Sequence, residues 1–441
     1  MSSKPQHGPQ HGRSPSRPGR PDASIAEGGL PRSLVLGCLL AFAAGAVLCS
    51  SSGFAASPAP EASEHPSVAT LPPPGAHWLW VPDRLLAHSL LFDGDSGDVL
   101  GMIDSPALLT PQAPLVSTER GEIYSVDVGY TRGLRGERTD FLTIYDLASL
   151  GYKDEIVFPT RAATGNTAIA YSAKIGSRFL AVFNQFPATS VSILDLDSRR
   201  FVGEIGVSGC AGIYPIDDLR FATLCGDGTA GVIELDSEGH RAGFEHTAKF
   251  FDTIEDPVFT TGARNGARWT FVSFEGMVHT IDFSGPELQI LPAWSLLGED
   301  EAGSDWRPGG LQMLALHAPT NRLFVVMHEG GPGSHKDGGP EVWVHDLESH
   351  ERLARIEAPA LAAAFLGDQM GLERGSFAAT LLGWILPTDT VHSITISQDA
   401  SPVLFVRNAE LGAVGVLDPE SGRPLRVIGE AGLFGPTLRV P

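Results

Sequence analysis

The cysteines have the most distinctive chemistry in this 441-residue chain. Two of the four, Cys38 and Cys49, lie in an apolar segment near the N-terminus, so the rest of the sequence contains one pair, Cys210 and Cys225. Two such thiols in an oxidising compartment usually form a disulfide, and the segment between them suits a strand, a turn and a returning strand. The sequence therefore predicts a structural Cys210–Cys225 disulfide and, without CxxC spacing, no redox-active site.

A glycine-rich segment near the middle of the C-terminal half contains side chains of the types that bind metal ions. They are His328, Glu329, His335, Asp337 and Glu341. No helix or fixed strand is predicted to present them together, so a long hairpin or a partner-binding surface explains the segment more simply. We therefore assign no metal site.

Motifs of a complete active site are not found in the sequence. No GxSxG, HExxH, P-loop or dinucleotide-binding fingerprint occurs in a suitable context. The sequence therefore predicts no catalytic and no cofactor-binding residue on this chain, and it favours a scaffold or binding platform with a catalytic partner.

The elements that would position any site are short strands in a repeated pattern. An apolar strand, an acidic residue, a short polar turn and a second apolar strand recur seven times, which is typical of propeller blades. The acids that mark the strand ends are Asp93, Asp146, Asp195, Glu234, Asp282, Asp346 and Asp418. We predict an all-β chain that forms a seven-bladed β-propeller, because a two-sheet sandwich gives no reason for this repeat.

One stretch, residues 360–386, breaks the strand pattern. It is rich in Ala and Leu and predicts a helical insertion between the last two blades. Two interpretations stay open: a helix packed on the rim of the propeller, or an apolar element that faces a partner or a membrane.

The N-terminal region predicts export. A polar leader with scattered arginines precedes about 15 apolar residues and then small residues that suit a signal peptidase, whereas a membrane span needs about 20. We assign residues 1–57 to an export signal and leader, 58–76 to a flexible linker and 77–441 to the propeller. A periplasmic location follows from this assignment. The formal net charge of −21 makes nucleic-acid binding a poor hypothesis.

Several segments together resemble one known family. Residues 306–358, the segment DGDSGDVLGMID from Asp93, RGERTDFLTIYD from Arg135 and SFEGMVHTIDF from Ser273 are similar, in matching order, to the heavy subunit of quinoprotein amine dehydrogenases of the aralkylamine and methylamine types. The Cys210 and Cys225 pair agrees with this resemblance.

The resemblance implies a periplasmic heterotetramer of two heavy and two light subunits that oxidises primary amines to aldehyde and ammonia. It implies that the light subunit carries tryptophan tryptophylquinone and that a small blue copper protein, azurin or amicyanin, accepts the electrons. In the family a Phe shortly after the GMID motif lines the substrate channel. That place falls at Ala107, followed by Leu108.

An Ala at this channel position would admit a bulkier amine, although Ala107 could equally pack in a loop. The insertion and the long leader depart from the family pattern. A second reading of the whole chain stays open: a stand-alone periplasmic propeller that acts as a binding scaffold or as a metal-dependent hydrolase of small molecules.

Overall fold

A computed structural model describes residues 70–441 except 106–112, 134, 160, 163–168, 286, 302, 373–375, 387–389, 409–410, 430 and 433–436. Residues 68–441 form one compact unit. The described residues form seven antiparallel sheets that follow one another along the chain, and each is a meander of consecutive strands. The predicted seven-bladed β-propeller is confirmed.

The strands of the first four blades are, blade by blade, β1 (Trp78–Asp83), β2 (His88–Asp93), β3 (Val99–Asp104); β4 (Leu115–Ser117), β5 (Glu122–Tyr130), β6 (Arg138–Asp146), β7 (Tyr152–Phe158); β8 (Arg161–Ala162), β9 (Ser172–Ile175), β10 (Phe179–Phe186), β11 (Ser190–Asp195), β12 (Arg200–Gly206); β13 (Cys210–Pro215), β14 (Arg220–Cys225), β15 (Ala230–Leu235), β16 (Arg241–His246).

The strands of the last three blades are β17 (Val258–Asn265), β18 (Arg268–Ser273), β19 (Met277–Asp282), β20 (Gln289–Ile290), β21 (Trp294–Ser295); β22 (Trp306–Pro308), β23 (Leu314–His317), β24 (Arg322–Glu329), β25 (Glu341–Asp346), β26 (Arg352–Glu357); β27 (Ser393–Ile396), β28 (Leu404–Arg407), β29 (Val414–Leu417), β30 (Pro424–Ile428). Among the described residues, short 3-10 helices span Ile169–Tyr171, Glu299–Glu301 and Ala318–Thr320.

The hydrophobic core lies between neighbouring blades. One cluster joins Tyr124 and Leu142 of the second blade to Leu180 and Leu194 of the third, and all four side chains are buried. Central strands with apolar residues on both faces can be covered only by another sheet on each side. Each blade therefore depends on its neighbours, and the ring is stable as a whole.

In six of the seven repeats the named acidic residue closes the hairpin between the last two strands of its blade. The Asp346 carboxylate, for example, accepts the backbone N–H groups of Glu348 and Ser349 at 2.9 and 2.8 Å. Equivalent bonds are made by Asp93, Asp146, Asp195, Asp282 and Asp418. These local turns are why one short pattern could recur at blade spacing.

The prediction for the fourth blade was wrong by two residues. Glu234 lies within β15, whereas Asp236 accepts the N–H groups of Glu238 and His240, both at 2.9 Å. Asp236 also donates its own N–H to the carbonyl of His240, as the aspartates of other blades do across their turns. Glu234 and Asp236 flank Leu235, and only the Asp236 carboxylate accepts hydrogen bonds from the backbone of the turn.

The insertion before the last blade is helical, as predicted. Helix α1 (Leu361–Gln369) and helix α2 (Phe377–Ile385) contact each other, and α1 also contacts β30. Leu361 is fully buried and packs with Ala413 and Val427. On the other side Phe377 is 82% exposed. The insertion therefore has a face packed on the propeller and an apolar face in solvent.

No helix within the described part of the chain has the length and apolar character needed to cross a membrane.

Candidate functional site

The predicted substrate-channel residues, Ala107 and Leu108, lie outside the described residues, which stop at Ser105 and resume at Ala113. Both flanks of this segment are held by the fold. Ser105 is buried and donates its N–H to the carbonyl of Ala87 at 2.9 Å. Ala113 is buried and donates its N–H to the Thr437 hydroxyl at 3.0 Å. The segment thus leads from the last strand of the first blade to the first strand of the second.

A buried carboxyl group lies beside the start of this segment. Asp127 on β5 is fully buried and accepts hydrogen bonds from Ser125 Oγ at 2.8 Å and Thr143 Oγ1 at 2.5 Å. Ser125 Oγ is in turn 3.5 Å from Ser105 Oγ. Burial raises the pKa of Asp127 to about 7, and the charge of Asp104 raises it too, against the effect of the two hydrogen bonds. Asp127 can therefore gain or lose a proton near neutral pH.

The predicted disulfide is present. Cys210 on β13 and Cys225 on β14 are bonded to each other and lie directly opposite in the antiparallel register. Asp227 and His246 lie near Cys225, and their ligand-type atoms fall within 4.8 Å of one another. Because the Cys225 sulfur is in the disulfide, it supplies no thiolate, and this group is a poor metal site.

The histidine-containing segment is held by contacts within the protein. His328 Nε2 lies 2.8 Å from Ser334 Oγ, and burial lowers the pKa of His328. The His335 ring stacks on Phe274 with 4.3 Å between centroids. These partners stabilise a long loop between β24 and β25.

Glu341, the last acid of that segment, belongs to an aromatic and arginine cluster that includes residues of β22, β25 and β26 in the sixth blade. The Arg355 guanidinium lies 4.9 Å from the ring centroid of Trp306 and 4.8 Å from that of Trp343. It also donates two hydrogen bonds to the Glu341 carboxylate, at 2.7 and 3.0 Å. Cation–π contacts and a bidentate ion pair thus link β22, β25 and β26 of this blade.

The centre of the ring contains two cavities of about 350 and 330 Å³ that share Gly262 and Arg264. We call the larger one the axial cavity. It is lined by Leu115, Ala170, Ser172, Ala173, Lys174, Ile213, Tyr214, Pro215, Gly262, Arg264, Trp269 and Arg439. Most of these residues come from the innermost strands of several blades and from the C-terminal segment, whereas Ala170 lies in a 3-10 helix and Trp269 on β18.

Neither Asp127 nor the three cations of the axial cavity were predicted from the sequence. In the sequence Asp127 is an ordinary acidic residue. Only its buried position on β5 makes it unusual. Lys174, Arg264 and Arg439 are far apart in the chain and carry no motif. Side chains alternate in direction along a strand, so every second residue of an inner strand faces the ring centre. This alternation was the signal that could have found them.

The fold defines the class first: the protein is a seven-bladed β-propeller. In agreement, a solved structure of a protein of unknown function from Desulfotomaculum acetoxidans is similar with a TM-score of 0.53 at 10% identity, covering 83% of this chain and 99% of that one. At this identity the likeness concerns the fold alone.

The sequence relatives define the family. The family model described as methylamine dehydrogenase heavy chain matches residues 82–361. The methylamine dehydrogenase heavy chain of Paracoccus versutus is 26% identical over 380 residues, which is 84% of this chain and 80% of the relative. That of Methylobacillus flagellatus is 24% identical, covering 77% of this chain and 78% of the relative. The chain belongs to the methylamine dehydrogenase heavy chain family.

Proposed function

We propose that this chain is the non-catalytic heavy subunit of a periplasmic amine dehydrogenase that oxidises primary amines to aldehyde and ammonia. The family match over residues 82–361 carries the proposal, since it spans the first six blades and stops where α1 begins. The matched residues end before the insertion and the seventh blade.

In this proposal the reactive group is tryptophan tryptophylquinone on the light subunit, which accepts the electrons taken from the amine. The tryptophans of this chain suit other roles. Trp306 and Trp343 are neighbours, 5.3 Å apart between ring centroids, and the Arg355 guanidinium lies close to both rings. That arrangement fits a packed cation–π cluster better than a pair joined into a quinone.

The assembly contains two heavy and two light subunits and passes electrons to a small blue copper protein, azurin or amicyanin. The Cys210–Cys225 disulfide supports a periplasmic location, because disulfides persist in oxidising compartments. The acidic composition supports a cationic substrate, since a negative surface raises the local concentration of ammonium ions.

The contribution of this chain to the chemistry is a wall of the substrate channel at Ala107 and Leu108. Two buried anchors, Ser105 and Ala113, hold the ends of this segment to neighbouring elements. A small side chain at position 107 leaves more room beside the amine than a phenyl ring would. We therefore propose that the enzyme accepts amines bulkier than methylamine.

Co-purification tests the proposed assembly. This chain carries an affinity tag and is co-expressed with the light subunit of the same operon and the proteins that mature its quinone. The proposal predicts that a small cysteine-rich chain with quinone absorbance co-elutes with it. A propeller that elutes as a monomer with bound calcium or zinc, while the mature light subunit elutes elsewhere, would instead support the stand-alone scaffold or hydrolase.

A further inference from the structure

The axial cavity is cationic in a protein that is otherwise acidic. Lys174, Arg264 and Arg439 line it, and none of its lining residues in the described part of the chain is Asp or Glu. The whole chain has a formal net charge of −21. Three positive side chains thus line one cavity in the inner part of the ring.

None of the three cations is neutralised by a described carboxylate through a direct ion pair. Arg264 donates from Nε to the carbonyl of Gly266 at 2.7 Å and from Nη2 to that of Ile216 at 2.8 Å, so neutral acceptors orient it. Arg439 Nε is buried without a hydrogen-bond partner in the described structure. Lys174 makes no ion pair with a described residue.

Acids near the cavity act on these cations only from a distance. Glu119 favours the charged form of Lys174, and Asp217 favours that of Arg264. Both acids are exposed, and Asp217 is already paired with Arg220 at 2.7 Å. Burial outweighs the effect of Glu119 and lowers the pKa of Lys174. The positive charge of Arg439 lowers this pKa further. Burial lowers the pKa of Arg439 to about 10.

Lys174 and Arg439 are partly buried, whereas Arg264 is exposed at the cavity's edge. Gathering like charges around one cavity without a counter-ion is unfavourable, and an anion bound there reduces the penalty. We propose that the axial cavity is a binding site for one small oxyanion, a phosphate or a carboxylate, held by Lys174, Arg264 and Arg439. Guanidinium groups suit this chemistry because their planar array of N–H donors matches the oxygens of phosphate and carboxylate.

The three ligating residues come from parts of the ring that are distant in sequence. Lys174 lies on β9 of the third blade, Arg264 on β17 of the fifth, and Arg439 in the segment that pairs with β1 of the first. A bound oxyanion therefore bridges the third blade, the fifth blade and the closing segment. A ligand that binds only the folded ring raises its free energy of unfolding with the logarithm of the free-ligand concentration, once that concentration exceeds the Kd.

Calorimetric titration of the full chain as purified tests the site. Sodium phosphate and sodium acetate are titrated separately, with sodium chloride at equal ionic strength as the reference. We expect saturable binding of one phosphate or one acetate per chain and a rise in melting temperature beyond that given by chloride. Binding of phosphate only assigns a tetrahedral anion, and binding of acetate only assigns a carboxylate. Equal responses to all three salts would overturn the proposal.

Charge-removing variants locate the site. Lys174→Gln and Arg264→Gln are each expected to weaken binding of the oxyanion about tenfold, as expected for the loss of one charge-assisted hydrogen bond. Lys336→Gln removes an exposed lysine from a distant loop and is the matched control, with unchanged binding expected. Unaltered affinity in both cavity variants would place the anion elsewhere and refute this assignment.

Discussion

Trp80 and Arg439 are joined by two backbone hydrogen bonds, although 359 positions separate them in the numbering: Trp80 N–H donates to the Arg439 carbonyl at 2.8 Å, and Arg439 N–H donates to the Trp80 carbonyl at 3.2 Å. The C-terminal segment thus occupies the innermost place in the first blade, beside β1 of its three strands within the described residues. The Gln312 side chain donates from Nε2 to the Leu438 carbonyl and accepts the Leu438 N–H at Oε1. The last residues therefore close the ring.

Removal of the closing segment tests this role. Deletion of residues 437–441 loses these hydrogen bonds and the fully buried side chain of Leu438. We expect the free energy of unfolding to fall by about 5 kcal/mol or more, from one buried leucine and several hydrogen bonds. Chemical denaturation followed by tryptophan fluorescence measures the loss.

Two milder variants keep this test interpretable if the deletion prevents folding. Leu438→Ala is expected to cost about 2–5 kcal/mol, the usual loss for a buried leucine. Deletion of the exposed Pro441 alone is the control and should leave stability unchanged. Equal stability of Leu438→Ala and the parent chain would show that the segment does not hold the ring together.

The hairpin acid of the fourth blade offers a matched pair of variants. Asp236→Ala removes a carboxylate that accepts two backbone N–H groups, whereas Glu234→Ala removes an exposed carboxylate one position before the end of β15. We expect a lower melting temperature for Asp236→Ala and little change for Glu234→Ala. The reverse order would restore the assignment made from sequence.

The features found from sequence are those that depend on neighbouring residues. An Asp that closes a turn two or three positions later leaves a local signature, and so do Cys210 and Cys225 on adjacent strands. In the fourth blade the signature was ambiguous, because acids stand on both sides of Leu235. The Ala- and Leu-rich insertion was recognisable as helical because its composition contrasts with that of the strands.

The features missed from sequence depend on residues that only the closed ring brings together. Nothing in the sequence near Arg439 indicates that it pairs with Trp80, and nothing near Lys174 indicates that Arg264 lies across the same cavity. The raised pKa of the Asp127 carboxyl group likewise comes from its complete burial. The sequence pattern of β5 does not reveal that burial. Long-range placement is set by the packing of whole blades rather than by local propensity.

Asp127 predicts a pH dependence of stability. Its pKa is raised from the usual 3.8 to about 7, so between these values the folded protein binds more protons than the unfolded chain. Stability from this group is therefore fully present below about pH 4 and is lost as pH rises to about 7. This rise in the pKa corresponds to about 4 kcal/mol in the free energy of unfolding.

The variant Asp127→Asn isolates that contribution, because the amide is uncharged at every pH. Unfolding by denaturant from pH 4 to pH 8 should show that the parent chain loses stability relative to the variant as pH rises, with the change complete just above pH 7. Parallel stability curves for the two proteins would mean that Asp127 stays ionised throughout.

The side chain at position 107 predicts substrate preference in the assembled enzyme. Ala107→Phe narrows the proposed channel, so kcat/KM for phenethylamine should fall about tenfold or more relative to that for methylamine, the order of effect that pocket shape produces. Steady-state kinetics with both amines measure the ratio. Leu108→Phe is measured beside it to allow for a one-residue shift in the comparison with the family. An unchanged preference in both variants would remove this segment from the channel wall.

The central claim is that this ring forms a wall and a docking face while the reactive quinone belongs to another chain. Dye-linked oxidation of a primary amine, measured with this chain alone and again after the mature light subunit is added, tests it most directly. The account predicts no turnover by this chain alone and turnover with quinone absorbance once the light subunit is present. Amine oxidation by this chain without any companion would contradict it.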